Sequence, residues 1–342
     1  LQELNFLSFQ KAINICIQEK VEFVLITGDL FDSAYPPIEI LKRAFAEFRR
    51  LKEALINCYM IAGSHDYSIS GKTFLDVLEK GGFCEICKYE ETEATINLLP
   101  TKHNTFEIYG YPGKKSGLEV SDLKKIKIPE SSNFRILMLH TSLKEAVGNL
   151  PIESISMSEL PKAEYYALGH LHINFEKKIG NSPISYSGPI FPNSFQEMED
   201  LGCGSFYIVE VAGFVEAKRI TIKLKEVLAF NLEVKNTLIA TQEIINHLER
   251  FDEADKIILL RLHGSMEKGT NADIDYQKIK DYLDSKKACG FLKNTHKLLV
   301  KDEKIEVKIA ASEMHKIEEE LFKEYEIRNP DAFNHYILPL MN

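Results

Sequence analysis

VEFVLITGDLFDSAYPP, residues 21–37, decides the fold. An apolar run of strand type stops at Gly28, and two carboxylates, Asp29 and Asp32, follow within one tight turn. Acids crowded at the end of a buried strand lose hydration and repel one another, a cost that a bound metal ion relieves. Three further runs behave alike: CYMIA (58–62), FRILML (134–139) and YYAL (165–168) read as buried strands. They end in Gly63-Ser64-His65-Asp66, His140 and Gly169-His170-Leu171-His172. Helix-like stretches lie between them, notably 38–55 after Pro36-Pro37, and 71–82, closed by glycines. Alternating strands and helices predict a layered α/β domain, and the carboxyl ends of its parallel strands should converge on one crevice.

Singly, these clusters stay ambiguous: Asp29 reads as a helix N-cap and His140 as a satisfied core histidine as readily as either reads as a ligand. Together they place carboxylate and imidazole along one sheet edge. A carboxylate bridges two divalent ions about 3.5 to 4 Å apart, and neutral imidazole supplies nitrogen to Mn, Fe or Zn. Asp29 is the natural bridge. Alternate residues of an extended segment point to opposite sides, so His170 and His172 suit two neighbouring ions, or one ion reached around a bend. Glycine before each ligand lets the backbone approach the cluster.

The 342 residues, 44% hydrophobic and 27% charged, suit a globular chain of more than one domain. No apolar run approaches the roughly 20 residues of a membrane span. The net charge of −9 argues against a uniformly basic nucleic-acid coat, while leaving room for a local phosphate site. Six cysteines without a secretory signal point to a reducing compartment. Cys84-x-x-Cys87 is one arm without a second, read as structural thiols rather than zinc ligands. The chain opens at Leu1 in an amphipathic helix carrying Phe6, Phe9, Ile13, Cys16 and Ile17, and its true start is expected upstream.

From 181 to 224, strand runs broken by Gly and Pro suggest sheet completed by hairpins, ending a first domain over 1–224. Residues 225–310 follow as strand (LAFNLEV), helix (TQEIINHLERF), strand (KIILLRLHG), helix (DYQKIKDYLDSKK) and strand (KIEVKIA), a small α+β unit. The tail, 311–342, sets Met314, Ile317, Leu321 and Tyr325 on one helical face, either packed on its own domain or open to a partner.

GDLFD, GSHD, LH and GHLH, in this order, resemble the motifs of the calcineurin-like metallophosphoesterases. Within that superfamily, VEFVLITGDLFDSAYPP and YYALGHLHINFEKKI…ISYSGPIFPNSF look like the Mre-eleven (bacterial SbcD) double-strand-break repair nucleases, most like archaeal members. The resemblance covers about residues 1–225. It implies a four-layer αββα sandwich followed by a small α+β DNA-capping domain over 225–310. It also implies a two-manganese nuclease acting on DNA ends in the cytoplasm as a homodimer, beside a Rad-fifty-type ATPase bound through the carboxy-terminal segment. The competing readings are a non-catalytic scaffold of the same fold and a phosphoesterase acting on a non-nucleic-acid substrate.

Carried over by motif, Asp29 bridges the ions, His140 and His170 complete the second ion's shell, and His172 binds the first. His65 matches the histidine that stabilises the transition state or protonates the leaving oxygen, and Asp66 orients it or its loop. Three departures stand out. The family's amino-terminal Asp-x-His motif has no room ahead of Asp29, so either this fragment lacks it or an ion is lost. Ser64 replaces a metal-binding Asn, so the second site should be weaker or differently hydrated. Asp32 stands where these nucleases often have His, supporting a ligand histidine or capping a helix. Lys72, Lys114 and Lys115 are candidate phosphate contacts or solvated surface. His103, His247, His263, His296, His315 and His335 fall outside the motifs.

Overall fold

A computed structural model of the chain describes residues 1–67, 73–114 and 119–300. Helix α1 (Gln2–Gln18) leads into β1 (Phe23–Thr27), α2 (Ile38–Glu53), β2 (Asn57–Ile61), α3 (Leu75–Lys80) and β3 (Glu85–Ile86). Strands β1, β2 and β3 pair in parallel as a three-stranded sheet. Next come β4 (Tyr89–Glu91), β5 (Ile96–Leu98), β6 (Thr101–His103), β7 (Phe106–Tyr111), α4 (Glu119–Leu123) and β8 (Ile126–Lys127). Of these, β4, β5 and β8 form a small side sheet. The chain continues through β9 (Phe134–His140), α5 (Lys144–Val147), β10 (Tyr165–Gly169), β11 (Phe175–Ile179) and β12 (Ser182–Tyr186). A six-stranded sheet results, in the order β11-β12-β10-β9-β7-β6, its four central strands parallel and its two edges antiparallel.

The two larger sheets stack face to face. Tyr59, Ile61 and Cys87 of the first meet Ile108, Ile136, Met138, Tyr165 and Ala167 of the second. On β9, Ile136 and Met138 enter that seam while Leu137 and Leu139 enter the core on the far face. Period-two alternation between two buried faces explains why FRILML is apolar throughout. Helices α1 and α2 cover the outer face of the first sheet through Ile13, Cys16, Leu41, Phe48 and Leu51. This stacking of two sheets with helices on an outer face is the layered α/β arrangement expected from the sequence. One detail differs from expectation: β1 is an edge strand and half-buried along its whole length.

Helix α6 (Phe195–Leu201) precedes the antiparallel hairpin of β13 (Gly204–Val211) and β14 (Val215–Ile222). A second unit follows as β15 (Val227–Glu233), α7 (Thr237–Leu248), β16 (Ile257–Met266), α8 (Tyr276–Ser285) and β17 (Gly290–Val300). Its three strands are parallel, with β16 central. Ile258, Leu260 and Leu262 face α7 and α8, whereas Ile257 and Leu259 pack with Leu4, Phe191 and Met198 of the first unit. The expected strand KIEVKIA lies outside the described residues. The third strand among the described residues is GFLKNTHKLLV, at the edge of the described sheet, with Lys293, His296 and Lys297 exposed. The tail from 311, with its helical stripe, also lies outside the described residues.

Candidate metal centre

The carboxyl ends of β1, β2, β9 and β10 do meet, but they come from two sheets rather than one. The joint is Thr27. Its carbonyl accepts a hydrogen bond of 2.8 Å from His140 Nδ1, across the seam between the sheets. A Cβ on Gly169 would lie 2.0 Å from the same carbonyl oxygen, so only glycine lets β10 end there. Beyond Thr27 the chain turns through Gly28 (φ 92°) and Asp29 (φ 52°), and beyond Gly169 through His170 (φ 94°). Two non-glycine residues held at positive φ on facing sheet edges are costly backbone states that the surroundings impose, as at many functional sites.

Asp29, His140 and His170 bring donor atoms within 4.8 Å of one another. Asp29 Oδ2 lies 3.2 Å from His140 Nε2, and His170 Nδ1 lies 3.2 Å from the same nitrogen. Because His140 Nδ1 donates to Thr27, Nε2 is the nitrogen left to offer a lone pair to a metal ion, and a proton on Nε2 meets the Asp29 carboxylate when no ion is bound. One hard oxygen and two imidazole nitrogens converging at a partly open edge suit a divalent transition ion. His140 itself is 1% exposed.

The electrostatics agree with the geometry. Burial pushes the Asp29 carboxyl up, but the hydrogen bond and charge of His140, with the His65 N–H, outweigh it and hold Asp29 below the usual carboxylate range. Burial likewise pulls His140 down, and Asp29 more than reverses it, so His140 is raised. His170 is lowered, by burial first and by the adjacent His140 second.

The loop after β2 is tied to the loop after β1 by Asp66. Its carboxylate, 2% exposed, accepts the N–H groups of Asp29 and Gly63 at 2.8 Å each and of Phe31 at 3.4 Å. Asp66 thus ties both loops together. His65 is exposed, with its backbone N–H on Asp29 Oδ1 at 2.8 Å and its Nδ1 3.3 Å from the Asp32 carbonyl oxygen. Asp32 meets the site through that carbonyl and does not cap α2, which begins at Ile38. Ser64 is half-buried in the turn beside His65.

His172 stands apart from the three-donor cluster. Its Nδ1 is 2.9 Å from Glu197 Oε1, on α6. Lys114 is not free for phosphate: its Nζ is 2.6 Å from Asp122 Oδ2 and 3.9 Å from Glu91, over the Tyr111 ring. Lys72 and Lys115 lie outside the described residues. Cys84 and Cys87 are free thiols, each pushed up to about 12 chiefly by burial, and among the described residues they join no group of metal-ligating side chains. His103 bonds Tyr59 and Glu22, a structural role.

Sequence reasoning missed two carboxylates beside the motif histidines His170 and His172. Glu119, 2% exposed, accepts from Thr141 Oγ1 at 3.3 Å, and its charge raises His170 against the stronger downward effects. Glu197 is the other. The spacing Ser194-x-x-Glu197 is legible as a helix start, but not as a partner for His172.

A family model for calcineurin-like phosphoesterases matches residues 3–174. The chain belongs to that family. The chain is similar to the DNA double-strand break repair protein Mre11 of Methanosarcina mazei, 28% identical over 302 residues, 83% of this chain and 44% of that protein. It is similar to the Mre11 protein of Methanocaldococcus jannaschii, 28% identical over 255 residues, 71% of this chain and 66% of that protein. The uncharacterized metallophosphoesterase YhaO of Bacillus subtilis is 26% identical over 158 residues, 44% of this chain and 36% of that protein. The chain spans about half the length of the curated relatives it matches. Calcineurin-like phosphoesterases use divalent metals, and Asp29, His140 and His170 are this member's candidate site. Among the described residues, no helix is long and apolar enough to cross a membrane.

Proposed function

We propose that this phosphoesterase is a DNA nuclease that hydrolyses phosphodiesters at DNA ends with two divalent ions, preferably manganese. The grouping of Asp29, His140 and His170 beside the exposed His65 carries the reading. Asp29, His140 and His170 would hold the ions, with Ser64 and His172 completing the set, and the ions would polarise a phosphoryl oxygen and lower the pKa of water. Asp66 fixes the two loops that present Asp29 and His65. With Nδ1 against the Asp32 carbonyl, His65 has Nε2 left to meet the substrate, where its imidazolium form donates a proton to the leaving oxygen.

DNA as substrate is supported by the relatives named for double-strand break repair. By the same resemblance, residues 1–224 form the nuclease domain, 225–310 cap the DNA, and 311–342 bind a Rad-fifty-type ATPase. The assembly is a homodimer on cytoplasmic DNA. The test is cleavage of linear duplex DNA with Mn²⁺ by wild type and His65→Ala. Loss of a proton donor lowers turnover by about 10²- to 10⁴-fold while DNA binding survives. Equal turnover in the two proteins rejects the role of His65. A second reading, a non-catalytic scaffold of the same fold, is favoured by one observation: among the described residues only three donors group, with His172 held by Glu197. Wild type that binds DNA and Mn²⁺ without hydrolysing any phosphodiester would establish it.

A further inference from the structure

Helix α6 carries Glu197 in its first turn, where its backbone N–H and one of its two carboxylate oxygens are engaged. Glu197 N–H donates to Ser194 Oγ at 3.1 Å, and Glu197 Oε2 accepts from Asn193 N–H at 2.8 Å. Only Oε1 remains, and it lies 2.9 Å from His172 Nδ1. The helix is itself anchored from outside the metal centre. Arg261 of β16 bonds Glu199 Oε1 at 3.0 Å and Gln196 Oε1 at 3.1 Å, its guanidinium sits 5.0 Å from the Phe195 ring centroid, and Met198 is buried against Ile257 and Leu259. The position of Glu197 is therefore set by the second unit.

We propose that Glu197 is a positioning residue that holds His172 in its Nδ1–H tautomer, so that the lone pair on Nε2 is presented to a metal ion. A carboxylate only accepts hydrogen bonds, so it demands the proton on Nδ1. Partners of this kind orient a ligand histidine, and their loss typically lowers metal affinity by about 10- to 100-fold. Through α6 and Arg261 the second unit thereby contributes to the geometry of the metal centre. The assignment rests on reading His172 as a metal ligand, and it concerns how that ligand is held.

The test reads the His172 tautomer by nitrogen NMR in the metal-free full chain, well above the imidazole pKa, and Mn²⁺ affinity by calorimetry. Wild type should show the Nδ1–H form. Glu197→Gln preserves volume but replaces one of the two oxygens that meet Asn193 and His172 by an NH₂ donor, so one of the two contacts loses its acceptor. The Nδ1–H population should fall, and Mn²⁺ affinity should drop about 10- to 100-fold. Ser194→Ala removes the helix cap while retaining the carboxylate and its Asn193 bond, and should keep the Nδ1–H form and lower Mn²⁺ affinity less than Glu197→Gln does. An Nε2–H form in wild type overturns the proposal without needing any variant to fold. So does an unchanged tautomer in Glu197→Gln, or equal losses in Glu197→Gln and Ser194→Ala, which would make the role one of capping alone. The tautomer is read without metal or DNA, so its failure is separable from failure of the nuclease reading.

Discussion

Replacing Asp66 by Ala removes a buried side chain that joins the loops after β1 and β2, which the Asp29 and His65 side chains also bridge. Three backbone N–H groups lose their acceptor: those of Asp29 and Gly63, bonded at 2.8 Å, and that of Phe31, at 3.4 Å. A hydrogen bond to a charged group contributes about 1.5–3 kcal/mol, and the longest of the three is weak. Two good bonds give about 3–6 kcal/mol. Burial pushes the Asp66 carboxyl up, and the neighbouring Asp29 adds to this, so the backbone donors face a carboxyl that is costly to keep charged. That places the loss near the lower end, about 3 kcal/mol. Urea unfolding of wild type and Asp66→Ala measures it, and Mn²⁺ titration tests the local consequence. With the Asp29 turn untied, metal affinity should fall along with stability. A change in unfolding free energy below about 0.5 kcal/mol, the range of an ordinary surface substitution, would refute the reasoning. Lost stability with unaltered Mn²⁺ affinity would show that the turn holds its geometry without Asp66.

Gly169→Ala should destabilise the chain by about 1–3 kcal/mol, because the added Cβ meets the Thr27 carbonyl at 2.0 Å, and differential scanning calorimetry reads the loss. Leu260→Ala empties space in the fully buried core of the second unit and should cost about 2–5 kcal/mol, with hydrogen exchange accelerated in α7 and α8 first. The pair Arg135–Glu164 gives a pH test: although burial pushes Glu164 up, bonds from the Arg135 side chain and N–H hold its carboxyl below the usual range. A depressed carboxylate stabilises above its unfolded pKa, so the gap between wild type and Glu164→Gln should be full at neutral pH and shrink as pH falls through about 4. Since the pair is partly exposed, that gap should not exceed about 1 kcal/mol.

The residues that end β1, β2, β9 and β10 were legible in the sequence because a chain has to leave a buried strand through a turn, and polar ligand types at four such exits are an unusual coincidence. Asp29, His140 and His170 came together as their positions implied. The helices and first two strands of the second unit were likewise readable from apolar periodicity, whereas β17 was not. An edge strand needs few apolar residues, and Lys293 and Lys297 hide it in a pattern that looks like loop. Which sheet each strand joins, and that two sheets meet at Thr27, depended on side chains more than 100 positions apart in sequence. The partners of His172, His170 and Lys114 were also decided by tertiary structure alone. Glu197, Glu119 and Asp122 reach them from helices whose placement follows from packing. A sequence thus specifies which chemistry leaves each strand, through local rules of burial and turn. Which group answers it across space depends on how the layers close, because hydrogen bonds and ion pairs fall off within a few ångströms and carry no signature along the chain.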